Sequence, residues 1–128
     1  MSRRHIQLVL GVALVAVGAY LALNPLVVAE ALGAPATKPT ELINTRASYG
    51  GTVMGLGAFI AWWPAPKPWL RTILGLLMWA MAGIGVARLI GFALDGSPDG
   101  RQAIWIVAEV VLVVACALGL RRIRRRIP

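Results

Sequence analysis

Four long apolar runs dominate this chain and leave it few ways to fold. Ile6–Leu23 and Ala47–Trp63 carry no charge. Leu70–Leu94 carries Arg71 at its edge and Arg88 within, and Ala103–Leu120 carries only Glu109. A helix needs about 20 residues to cross the hydrocarbon core of a bilayer. There, backbone N–H and C=O groups are satisfied only in a helix or a closed barrel. Four segments are too few for a barrel, and the runs lack the two-residue alternation of strands. The sequence predicts an all-α integral membrane protein: one domain over 1–128, a four-helix bundle of two antiparallel hairpins. The crossings are expected at about 6–23, 44–63, 70–94 and 101–120.

Composition agrees. The 128 residues are 59% hydrophobic and only 14% charged, which argues against an ordinary soluble enzyme. With one cysteine, Cys116, and one histidine, His5, neither an intrachain disulfide nor a His/Cys metal cluster can assemble. No metal or cofactor is expected. An intramembrane enzyme would need an activated nucleophile; Ser48, Tyr49 and Cys116 have no histidine beside them, so the chain is not expected to be an enzyme.

The net charge of +8 is distributed by topology. Arg3, Arg4, Lys67, Arg71 and the run Arg121, Arg122, Arg124, Arg125 and Arg126 fall on one side of the four crossings. Lys38, Arg46 and Arg101 fall on the other, with Glu30, Glu41, Asp95 and Asp99. The positive-inside rule then places both termini and the loop between helices 2 and 3 in the cytoplasm. Trp62, Trp63 and Trp69 suit the same interface. The C-terminal arginines abut helix 4, so they are read as contacts to anionic lipid and not to nucleic acid. The first run exceeds the roughly 7–15 residues of a signal-peptide core, so cleavage is not expected.

Local signals punctuate the loops. Asn24-Pro25 reads as a cap and first turn, and Gly33 as a stop, for a short interfacial helix over Pro25–Leu32. Thr40 is the expected cap of helix 2. Pro64-Ala65-Pro66-Lys67-Pro68 reads as a stiff hairpin loop, and Asp95-Gly96-Ser97-Pro98-Asp99-Gly100 as a turn with Asp99 capping helix 4.

Charges at membrane depth carry the functional argument, because such groups are costly and need partners. Arg88 lies seven residues before Asp95, about 10 Å of helix, and Glu109 eight residues after Arg101, about 12 Å. Antiparallel helices joined by a tight turn bring both to one level, which predicts an Arg88–Glu109 ion pair. Arg46 and Tyr49 reach a similar level from helix 2, with Asn44 nearby and Asp95 at the mouth. Arg46, Gly50, Val53 and Gly57 form one helical stripe, and Gly51 and Gly55 lie on a neighbouring face. Two arginines against one membrane glutamate leave surplus positive charge, to be balanced by Asp95, by water, or by an amphipathic anionic ligand or lipid head group. The competing readings are a pair that only fixes helix register, an accessory subunit of a larger membrane complex or a homo-oligomer, and a small proton-coupled transporter using Glu109.

Several of these residues also carry a resemblance. Glu41…Arg46, Tyr49-Gly50-Gly51 and Gly55-Leu56-Gly57, then Gly85-Val86-Ala87-Arg88-Leu89, Gly96-Ser97-Pro98 and Ala108-Glu109-Val110, resemble an uncharacterised bacterial membrane family, domain of unknown function 4345. The resemblance implies four helices, an arginine early in helix 2, an arginine in helix 3 and a glutamate in helix 4, in a bacterial inner membrane. That family often has an acidic residue where this chain has Asn44. It implies no activity.

Overall fold

The structure, a computed structural model, describes residues 2–63, 69–96 and 99–126. The described residues are helical, with no strand among them: α1 (Arg3–Leu23), α2 (Pro25–Ala31), α3 (Pro39–Thr45), a π-helical segment (Arg46–Gly51), α4 (Thr52–Trp62), α5 (Trp69–Asp95) and α6 (Gly100–Arg126). The proline loop 64–68 and Ser97-Pro98 lie outside the described residues. Three helices, α1, α5 and α6, are long and apolar enough to cross a membrane, which points to a membrane protein. The run expected as the remaining crossing is divided. α3, the π segment and α4 follow one another without a gap, and each is shorter than a span.

The caps differ from expectation in two places. Asn24 does not cap α2 with its side chain; its Nδ2 donates to the Tyr20 carbonyl at 2.9 Å and closes the end of α1. α3 starts at Pro39, so Thr40 lies inside the helix. The stop at Gly33 holds, with a positive φ of 65° that an L side chain rarely adopts. Asp99 does cap α6, Oδ1 accepting from the Gln102 backbone N–H at 2.8 Å.

Glu41 fixes the turn before α3. Its carboxylate accepts from the backbone N–H groups of Thr37 at 2.9 Å and Lys38 at 3.2 Å. Those bonds hold its pKa below the ordinary 4.5. A lowered folded-state pKa means that this support is present above the unfolded value and is lost as pH falls through the folded one. Acidification is therefore expected to move the Thr37 and Lys38 amide resonances together, with a midpoint below 4.5. A midpoint at or above 4.5 would contradict the cap.

Glycine and alanine contacts zip the helices together. α1 and α4 run antiparallel, with Gly11 against Ala61, Gly57 against Val15, Gly18 against Met54 and Gly50 against Ala22. α4 and its π segment meet α5 in the same way, with Gly51 against Gly83 and Ile84, and Gly55 against Trp79 and Ala80. Without a side chain, two backbones approach closely and gain dispersion contact that lipid does not compete for. α5 and α6 are antiparallel too, joined from Arg88–Glu109 at one level to Leu74–Gly119 at another. Among the described residues, α6 packs extensively on α5 alone. The helices stand in a row, α1–α4–α5–α6.

Candidate functional site

The polar residues at depth come together at the end of the row where α3 sits. Asn44 and Arg46, two residues apart, are about 200° apart around the helix axis. Their side chains therefore leave in opposite directions, and the expected single cluster becomes two.

Arg46 builds the first. Its Nε lies 2.6 Å from Asp95 Oδ2 and its Nη2 3.0 Å from Oδ1, a bidentate pair between the π segment and the last residue of α5. Its Nη1 donates to the carbonyls of Ala22 and Leu23, the latter at 3.1 Å. These are orphan acceptors at the C-terminal end of α1, where a cation also meets the negative end of the helix dipole. One guanidinium thus ties three helices. A recess of about 270 Å³ beside it is lined by Asn24, Arg46 and Asp95 together with apolar residues such as Leu26, Val27 and Leu42. A lysine in place of Arg46 keeps the charge and loses the fork. Arg46→Lys is expected to lower stability by about 1–3 kcal/mol in thermal unfolding; an unchanged midpoint would show that the fork contributes nothing.

Arg88 builds the second. Its Nη2 lies 2.8 Å from Glu109 Oε1, and its Nε lies 3.0 Å from Oε1 and 3.3 Å from Oε2. Its Nη1 donates to Asn44 Oδ1 at 3.1 Å and to Gln102 Oε1 at 2.5 Å. Gln102 Nε2 completes the ring by donating to Asn44 Oδ1 at 3.0 Å. Arg88, Glu109 and Gln102 are all at least 94% buried. The ion pair expected from depth is present, between two helices that are both long enough to span.

Not every singled-out residue joins. Tyr49 is exposed on the π segment and makes no side-chain hydrogen bond among the described residues. The surplus positive charge is absent as well: Asp95 neutralises Arg46, and Glu109 neutralises Arg88. Arg121, Arg122 and Arg124 are exposed at the far end of α6, while the side chains of Arg125 and Arg126 lie outside the described residues.

Gln102 is the residue that the sequence reading passed over, although it is 1% exposed. Its signal was available. Gln102, Glu109 and Cys116 recur every seven residues, and all three are buried. A seven-residue recurrence marks one narrow face of a helix, the face α6 turns to α5.

A groove of about 440 Å³ opens laterally between α5 and α6. Its walls are Met81, Gly85 and Leu89 on α5 and Ile106, Val110 and Val113 on α6, and Glu109 reaches it from between them. Residue 85 is glycine at that point, and an added Cβ would sit 3.6 Å from Glu109 Oε2 and touch nothing else. An apolar channel with one carboxylate at its wall can hold a chain and anchor a polar end.

Residues 3–120 match the family described as Domain of unknown function (DUF4345). Neither a curated protein nor a solved structure matches the chain.

Proposed function

The chain belongs to the DUF4345 family, and on that premise we propose that it is a small membrane protein that binds an amphipathic molecule. The molecule lies in the lateral groove between α5 and α6, with its apolar chain along the groove and its polar end at the Arg88–Glu109 pair. In this reading the protein crosses the membrane four times, the divided run from residue 44 through the π segment and α4 serving as the second crossing. Both termini are cytoplasmic and the basic end of α6 contacts anionic lipid.

The observation that carries the reading is the place of Glu109, which is buried against Arg88 and still forms part of the groove wall. A pair that only fixed helix register would be expected to lie sealed between its helices. Here Glu109 borders a groove open to lipid, beside a glycine.

Native mass spectrometry of protein gently extracted from its own membrane tests this. A stoichiometric small-molecule adduct is expected. Gly85→Leu fills the groove and is expected to remove the adduct while the helical content stays unchanged. A stoichiometric protein partner and no small molecule would replace the binding reading with that of an accessory subunit.

A further inference from the structure

We infer that the groove selects a molecule whose polar end is an uncharged hydrogen-bond donor, a hydroxyl, on a long apolar chain. The inference rests on the groove reading above and adds the chemical class of the ligand.

The inventory of donors and acceptors decides the class. Arg88 directs Nε, Nη1 and Nη2 at Glu109, Asn44 and Gln102, and it is not among the residues that wall the groove. Glu109 is the charged residue that does border it. Of its two oxygens, Oε1 takes the shorter bonds, at 2.8 and 3.0 Å. Oε2 takes a single longer one at 3.3 Å and is the oxygen nearest Gly85. A carboxylate oxygen has lone pairs for more than one donor. The groove therefore offers an acceptor and no donor. A carboxylate or phosphate head would meet like charge there, whereas a hydroxyl would donate to Oε2.

Depth excludes large or charged heads on separate grounds. Glu109 is nine residues into α6, about 13 Å from its start. A charged group carried that far into hydrocarbon costs several kcal/mol unless it is paired, and both charges at this site are already paired. An alcohol costs far less, and its desolvation is offset by the bond to the carboxylate.

Three probes with one chain isolate the head group: oleyl alcohol, methyl oleate and oleate. Each is added to the detergent-solubilised full chain, and retention is read by native mass spectrometry. The alcohol is expected to be held about 10–100-fold more tightly than the ester, the ratio for one hydrogen bond to a charged group. Oleate is expected to bind no better than the ester, and Gly85→Leu to abolish retention of the alcohol. If the ester or oleate is retained as well as the alcohol, and Gly85→Leu removes it, the groove stands and the donor inference falls. If no probe is retained, or retention ignores Gly85→Leu, the groove reading falls and takes this inference with it.

Discussion

Arg88→Leu is expected to destabilise the protein by about 3–5 kcal/mol, because it strands the Glu109 carboxylate in a buried site without its counter-charge. The loss is large because both partners are at least 94% buried and the pair joins α5 to α6, whose packing is otherwise one-sided. Replacing both charges tells a sealed ion pair from a network. Arg88→Leu with Glu109→Leu removes the stranded charge and is expected to recover most of the stability. Recovery should be incomplete, since Gln102 Oε1 loses its donor at 2.5 Å and one unsatisfied buried acceptor costs about 1–3 kcal/mol. Asn44 is less affected, because Gln102 still donates to it. Adding Gln102→Leu would exchange that orphan acceptor for an apolar side chain, and Asn44, itself exposed, adds no buried unsatisfied group. Thermal unfolding in detergent checks the series. A double variant no more stable than Arg88→Leu alone would show that the ion pair is not the seat of the loss.

Gly83→Ala and Gly85→Ala, two residues apart on α5, should give opposite results. A methyl at Gly83 would overlap the Gly51 carbonyl oxygen and lie 2.6 Å from the Gly55 nitrogen, so α4 and α5 must separate. Backbone cannot move aside as a flexible side chain can, and the separation also disturbs α1, which is zipped to the other side of α4. A loss of about 3 kcal/mol or more is expected, at the upper end of overpacking costs. A methyl at Gly85 meets only Glu109 Oε2, at an ordinary contact distance of 3.6 Å, and leaves stability near that of the natural chain. Chromatographic monodispersity and thermal midpoint read both. Equal losses would mean that the α4–α5 seam is looser than its geometry indicates.

The same seam settles a point that glycine spacing leaves open. Gly51 and Gly55 could have served contact within the chain or between chains. They meet Gly83, Ile84, Trp79 and Ala80 of the same molecule, and Gly50 and Gly57 meet α1. Those stripes are consumed internally, so a homo-oligomer would have to use other surfaces.

The two polar networks show where sequence reasoning stops. Arg88 and Glu109 were paired from depth alone, since rise per residue is constant and a tight turn sets a common origin for two neighbouring helices. Arg46 was assigned to the same cluster because it reaches a similar depth. Direction was missing from that inference: Asn44 points to Arg88, and Arg46 points away from it to Asp95 and α1. The π segment begins at Arg46 itself, and its wider turn shifts the angular position of residues beyond it. Gly50-Gly51 marks the place, although no local rule turns two glycines into a π turn.

Hydropathy and charge therefore determined what is additive along the chain: which segments are apolar, where they stop, how deep each charge lies and which charges need partners. The tertiary structure alone decided what depends on rotation about the helix axes and on contacts between helices distant in sequence. These are the order of the helices in the row, the division of the second apolar run, the separation into two neutral networks, and the groove whose wall Glu109 helps to form. The physical reason is that burial depth is fixed by the distance along a helix, whereas facing is fixed by packing, and one added residue in a turn is enough to change it.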